Sequence, residues 1–454
     1  MNATTTSPAA GTLDAPKPAL SVFDAVMIIT GIVIGGGIFS MPPLVAGITG
    51  SVQWMLVAWI AGGVLSLIGA LVYAELATTY PSAGGDYHFL SRAYGRDLSF
   101  FFAWARVTVI TTGAIAMLAF IFGDYMSRVL PLGAYSSPIY AVLTVMALTA
   151  VNIAGLRESS RTQNVMTILL IAGLALLAVA GALAFFGGRA PTPAAGPAAG
   201  GLPAAFGLAM VFVLLTFGGW NEAAYISAEV KGGNRAIMKA LILALLLITA
   251  VYLLAVLAML HGLGFAGLAK SQAVGADVMA AGFGPVGGVL IGLVVALTTL
   301  TSINATMLVG ARTNYSLGRD WPIVAFMSRW DGTRDAPVRA FVVQGAIALA
   351  LIGLGTVEKA GVQTMVEFTA PVFWFFFLLT GIALFVLRFR DPARPRPFKV
   401  PGYPVLPLVF VGTCGYLLYS SLTYAQSKNA LHWGAYLMAV GLVAWLIARI
   451  ARRG

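Results

Sequence analysis

Residues 25–50 read AVMIITGIVIGGGIFSMPPLVAGITG, and the chain stays free of charged residues from Ala25 to Ala74. At about 1.5 Å per helical residue, that run is too long for one crossing of a hydrocarbon core about 30 Å thick. It therefore reads as two spans turning near Ser51-Val52-Gln53. The centre of the first span falls at Gly35, inside Ile34-Gly35-Gly36-Gly37-Ile38-Phe39, and Pro42-Pro43 follows. A glycine costs roughly 1 kcal/mol in a helix interior. Three of them followed by two prolines predict a helix that unwinds at mid-depth.

The remaining composition belongs to a membrane protein. Of 454 residues 59% are hydrophobic and 9% are charged, against roughly 25% charged in soluble proteins. Reading apolar runs between charges and turn signals predicts twelve spans, near 23–48, 53–77, 98–124, 138–156, 163–187, 204–230, 236–261, 284–311, 339–356, 363–387, 405–424 and 431–449. With a cytoplasmic N-terminus, tails and inner loops hold 21 of the 27 Lys and Arg residues, the outer loops hold five, and Arg106 lies within span 3. The positive-inside rule thus predicts that both termini are cytoplasmic in a multi-pass protein of the cell membrane. The net charge of +11 records topology and contact with anionic lipid, not nucleic acid. Residues 1–22 read as a disordered cytoplasmic tail without the basic start or cleavage site of a signal peptide. The single cysteine, Cys414, excludes an internal disulfide and a thiolate metal cluster.

The Pro/Ala/Gly-rich stretch 188–203 separates spans 1–5 (23–187) from spans 6–10 (204–388), with a loop and spans 11–12 in 389–454. Five is odd, so the second block starts from the opposite side, which is the topology of an inverted repeat. Span 6 carries Thr216-Phe217-Gly218-Gly219-Trp220-Asn221-Glu222 at its centre, a second interruption at the matching place. Unwinding exposes amides that attract a carboxylate and carbonyls that attract an ammonium or a metal cation. A zwitterion with both groups on one carbon fits the pair. The competing reading is close helix packing, for which Gly31 and Gly35 have the small-xxx-small spacing. Paired interruptions in both blocks favour a carrier's binding site.

Four motifs then make the chain resemble the amino acid–polyamine–organocation superfamily, and within it the L-type amino acid transporter branch. They are IGGGIF at 34–39; YPSAGGDY at 80–87 with Phe89-Leu90; GGWN at 218–221 with Tyr225-Ile226 and Glu229-Val230-Lys231; and RPFKVP at 396–401. The resemblance implies an all-α integral membrane protein of twelve helices. Its fold would be a leucine-transporter-type five-plus-five inverted repeat with helices 1 and 6 discontinuous, working by alternating access. It implies that amides of Gly36 and Gly37 hold the substrate carboxylate, that carbonyls of Val33, Leu215 and Gly218 hold its amino group, that Phe217 and Trp220 wall the pocket, and that Ile38 and Gly219 belong to the same substrate-binding set. Trp220 reads equally well as a packing aromatic.

This chain departs from the family at three places. The usual GSG is GGG, so a serine hydroxyl is missing at Gly36; Leu215 stands where a bulky aromatic gate is frequent; Leu170 stands where many relatives carry a cation-site lysine. The coupling ion, sodium or proton, is therefore open, and no other cofactor is implied. Sodium-driven members of the fold would use Thr301 and Ser302 with carbonyls of Gly31 and Ile34, whereas hydroxyls in helices commonly bond their own backbone. Glu222 is the carboxylate expected deep in the membrane, as a gate, a proton carrier or a structural partner of Arg106. Glu75, Glu229 and Asp24 are expected in water at the cytoplasmic ends, and Glu367 and His261 at the outer rim.

These residues favour a carrier of neutral L-amino acids, as exchanger or ion-coupled symporter. A carrier of cationic amino acids or polyamines and a non-transporting amino acid sensor are the alternatives. An enzyme is disfavoured because His88, His261 and His432 are scattered and no catalytic triad or metal cluster is spelled out. Some L-type relatives bind a heavy-chain subunit through a cysteine between spans 3 and 4. The loop 128–137 has none, so no covalently linked subunit is expected.

Overall fold

The computed structural model describes residues 21–82, 85–154, 160–186, 202–221, 230–331, 336–359, 361–427, 439–443, 445–447 and 449. Among the described residues the regular structure is helical, apart from one isolated bridge between Asp331 and Ala336. Eight helices among the described residues are long and apolar enough to cross a membrane, and Ile168–Leu183, Ala205–Thr216 and Val274–Phe283 are shorter apolar helices. The chain is thus an all-α, multi-spanning membrane protein. The span expected at 431–449 and the stretch 188–201 lie almost wholly outside the described residues.

The first span is two helices, α1 (Val22–Val33) and α2 (Met41–Thr49). Their 12 and 9 residues give only about 18 and 14 Å of helix, so neither crosses alone. Helix α3 (Val52–Thr79) shows how an all-apolar helix is oriented. Trp54, Val57, Ile60 and Val64, three or four residues apart, form an exposed apolar stripe suited to lipid, while Met55, Ala58, Trp59, Gly62 and Gly63 are buried behind it. From Gly69 to Thr79 every residue is buried, so the far half of α3 is enclosed by protein.

The chain continues through α4 (Asp86–Tyr94), α5 (Arg96–Ala105), a π-helical turn at Arg106–Ile110, α6 (Thr111–Val129), α7 (Ser136–Ile153), α8 (Ser160–Phe186) and α9 (Leu202–Thr216). Then come α10 (Gly233–Lys270), α11 (Val274–Phe283), α12 (Pro285–Asp320), α13 (Val338–Val357), α14 (Gly361–Arg390) and α15 (Val405–Ser427). Among the described residues two large hydrophobic cores result, with a smaller one around Leu90, Phe102, Ala105 and Phe376. One gathers Ile29, Trp59, Phe217 and Tyr252, the other Ile115, Met307, Phe341 and Ile352, and Met117 and Leu118 of α6 pack against both.

The structure departs from the sequence reading in two connections. Span 7, expected to stop at 261, continues to Lys270 as α10 with a kink at Gly264 (φ 68°, ψ 166°), and α11 follows at once. The apolar residues of LGFAGLA and VGADVMAAGF keep their burial by turning at glycines instead of entering water. The connection between α3 and α5 contains α4, which buries Phe89 and Leu90.

Candidate functional site

Helix α1 ends at Val33, Gly35 is extended (φ −139°, ψ −166°), Gly36–Phe39 form a single 3-10 turn, and Ser40 N donates to Gly37 O at 3.0 Å. Pro42 and Pro43 open α2, where missing N–H groups cost nothing. The first N–H groups of a helical turn have no partner within it, so the Gly36 and Gly37 amides start the turn as free donors. Gly36 and Ile38 are buried.

In the second block α9 ends at Thr216, residues 217–219 turn, and Trp220 and Asn221 are again helical. Gly218 N donates to Leu215 O at 3.1 Å. Gly219 has φ 105°, a left-handed conformation that a side chain disfavours. Glu222 and Glu229 lie outside the described residues, as does the rest of 222–229.

The two interruptions touch. A Cβ placed on Gly37 would lie 3.4 Å from Thr216 Cγ2 and 3.5 Å from Thr216 Cα. Between them stands Tyr252 of α10, fully buried, whose hydroxyl lies 3.0 Å from Val33 O and 3.1 Å from Thr216 O. A phenol has one proton to donate, so these two helix-end carbonyls share one donor. Phe217 packs edge-on to Tyr252 at 4.9 Å and against Trp59 at 6.2 Å. Trp220 faces elsewhere, into Tyr73, Phe377 and Phe410 at 5.3, 5.6 and 5.9 Å. These contacts are those of a packing aromatic.

On the other flank of the glycine turn lies α12. A Cβ on Gly36 would meet Thr299 Oγ1 at 3.0 Å, and one on Gly35 would meet Ser302 Oγ at 3.9 Å. Thr301 and Ser302 donate to their own helix, at Leu297 O (3.2 Å) and Thr298 O (3.1 Å), and Thr299 donates to Val295 O at 2.6 Å. Gly31 and Ile34 lie at the end of α1, Ile34 buried, and the Thr30 and Ser40 hydroxyls are buried with no hydrogen-bond partner among the described residues. Leu170 is buried in the same core. Tyr252, Thr299 and Thr216 are the residues that sequence reasoning passed over. A lone tyrosine in the apolar run LILALLLITAVYLLAVLAML was the available signal.

One expectation is corrected. Glu75, read as a water-facing end group, is 1% exposed. Arg388 grips it through Nε at 2.8 Å and Nη2 at 2.6 Å, Arg396 Nε lies at 3.5 Å, and Val400 N donates to it at 2.7 Å. The RPFKVP loop folds back over the end of α3, because a buried carboxylate needs this many donors to replace water. Next to it Tyr80 donates to Asp391 at 3.0 Å, and Arg92 and Arg394 lie over its ring at 4.9 and 4.6 Å. Burial, and then the Asp391 carboxylate, raise the Tyr80 pKa. Burial and the cations Arg92 and Arg394 lower that of His88, keeping it neutral. Tyr80, at the start of the YPSAGGDY motif, and the RPFKVP motif at 396–401 thus belong to one structural cluster with Glu75, away from the glycine turns.

A bundle of membrane-crossing helices, in which a broken helix and a helix end meet with polar backbone groups turned inward, is the architecture of a membrane carrier. The sequence comparison agrees: the amino acid permease family matches residues 20–445, and the chain belongs to that family. It is a secondary active amino acid transporter and not an enzyme. The chain is 30% identical over 397 residues to the human b(0,+)-type amino acid transporter 1, covering 84% of this chain and 78% of that protein. It is 26% identical to the serine/threonine exchanger SteT of Bacillus subtilis, with 89% and 91% covered. It is also 26% identical to the rat large neutral amino acids transporter small subunit 2, with 87% and 74% covered. The sole cysteine, Cys414, is buried in α15, so no exposed thiol is available for a covalent bond to a partner chain.

Proposed function

We propose that this protein carries neutral L-amino acids, as an L-type exchanger of twelve spans in a five-plus-five inverted repeat with helices 1 and 6 discontinuous and both termini cytoplasmic. The observation that carries the reading is the meeting of the two interruptions at Gly37 and Thr216 under one shared hydroxyl, Tyr252. The amides of Gly36, Gly37 and Ile38 receive the substrate carboxylate. Its ammonium is drawn to the carbonyls of Val33, Leu215 and Gly218; the Val33 carbonyl shares one phenolic proton with that of Thr216, which leaves oxygen capacity unmet. Phe217 and Gly219 line the pocket, while Trp220 packs behind the turn on Tyr73, Phe377 and Phe410. Neutral substrates and exchange are in keeping with relatives described as a serine/threonine exchanger and a large neutral amino acids transporter subunit. The arginine surplus of the inner loops and tails, among the 21 cations there, supports the orientation.

Counterflow in proteoliposomes tests it. Labelled neutral amino acids are offered to vesicles preloaded with unlabelled ones, with and without sodium and a proton gradient. Uptake that needs only internal substrate supports exchange; uptake that needs sodium makes Gly31, Ile34, Thr301 and Ser302 the ion site; no uptake refutes the reading. Tyr252→Phe removes the shared proton and frees two carbonyls, so the apparent KM is expected to shift by about tenfold, a single hydrogen bond to a charged group being worth 1.5–3 kcal/mol. An unchanged KM would separate Tyr252 from substrate binding. Glu222→Gln is expected to flatten the pH profile of uptake, and a profile identical to the parent's would remove Glu222 from proton handling.

A further inference from the structure

Tyr125 lies near the end of α6 and is fully buried. Its hydroxyl donates to Phe39 O, the last carbonyl of the glycine turn, at 2.9 Å and accepts from Gly275 N at 3.0 Å. Its ring stands edge-on to Phe39, with centroids 6.2 Å apart. Gly275 is the second residue of α11, and the N-cap of that helix, Ala273, offers no side-chain acceptor. The phenol of α6 therefore does the work of an N-cap for a different helix. The fit is close, since a Cβ on Gly275 would lie 3.0 Å from both Phe39 Cδ1 and the Tyr125 hydroxyl oxygen. One turn further along α6, Arg128 pairs with Asp277 of α11 at 3.5 Å, and Ser271 donates to the same carboxylate at 2.6 Å.

Helix α11 sits at the end of the molecule opposite Glu75. The carbonyl of Ala269, just before it, lies 4.0 Å from a Cβ on Gly47, near the end of α2 where the chain turns into α3. Phe39 O and Gly275 N are both buried backbone groups held by the same hydroxyl, and either would lose its partner if it moved away from Tyr125. We propose that Tyr125 is a positioning residue that couples the glycine turn to α11, so that substrate held at Gly36 and Gly37 draws α11 over that end of the transport path. This rests on the substrate reading of the turn given above.

The test uses the full chain in proteoliposomes with Cys414→Ala and a reporter thiol from Gln272→Cys, an exposed position just before α11. A membrane-impermeant maleimide reads the reporter, and radioligand binding reads the turn, with serine as the probe. With Tyr125 present, saturating serine is expected to slow labelling. With Tyr125→Phe the serine-dependent slowing is lost while serine still binds. Gly275→Ala breaks the same link from the α11 side, by crowding Phe39 and the hydroxyl, and is expected to lose the slowing too, which covers the case of Tyr125→Phe failing to fold. Slowing retained in a folded variant, or absent from the parent although serine binds, overturns the coupling. A parent that binds no amino acid overturns the substrate reading itself.

Discussion

Replacing Glu75 by Gln is expected to destabilise the folded protein by about 3–5 kcal/mol, the cost of removing one partner from a buried ion pair. The carboxylate is 1% exposed, while Arg388 and Arg396 are 19% and 9% exposed, so neither guanidinium is surrounded by water once its partner is gone. The Val400 amide loses its acceptor as well. Arg388→Lys should recover little, because one ammonium cannot reproduce the two-point grip on the carboxylate. Denaturant unfolding in detergent micelles reads both variants, and a loss under about 1 kcal/mol for Glu75→Gln would place Glu75 among ordinary surface pairs. The loop carrying RPFKVP should then be held by Arg394 on Thr79 O and Arg390 on Ala93 O instead.

Gly37→Val is expected to abolish serine binding and counterflow while leaving the protein folded and monodisperse. The first added carbon meets Thr216 at ordinary contact distance, 3.4 and 3.5 Å, so Gly37→Ala should keep measurable transport. The two further methyls of valine press into the seam between the interruptions, where the carboxylate is proposed to sit. Overpacking of this kind costs about 1–3 kcal/mol, less than a stable fold loses on unfolding. Loss of binding in a Val variant that stays monodisperse and still unfolds cooperatively supports the site, whereas aggregation of the Val variant together with a silent Ala variant would return the glycines to helix packing. Sites where a side chain would run into the backbone of a neighbouring helix behave differently. A Cβ on Gly181 would lie 2.5 Å from Ala258 O, a close approach that packing alone explains.

Much of this was legible along the chain. Charge-free runs of the right length located the membrane helices, and the three glycines with two prolines located the break in the first, because backbone propensity and the exclusion of charge from hydrocarbon are local effects. Thr301 and Ser302 show how far such reading goes. The TTLTSIN run marked α12 as hydroxyl-rich, but which hydroxyls face the glycine turn depends on how α12 is rotated against α1, and those nearest are Thr299 and Ser302.

Glu75 was misjudged for a related reason. Its position near the end of α3 suggested water, and nothing within 20 residues of it supplies the two arginines that surround it. Tyr252 and Tyr125 stood out in apolar stretches, yet their partners lie 219, 36, 86 and 150 residues away. Solvent exclusion and helix propensity are properties of a segment, and they set the class of this protein as an all-α, multi-spanning membrane chain. Which hydroxyl caps which carbonyl is a matter of contact between segments, because a hydrogen bond reaches only about 3 Å and only the packed bundle brings such groups that close.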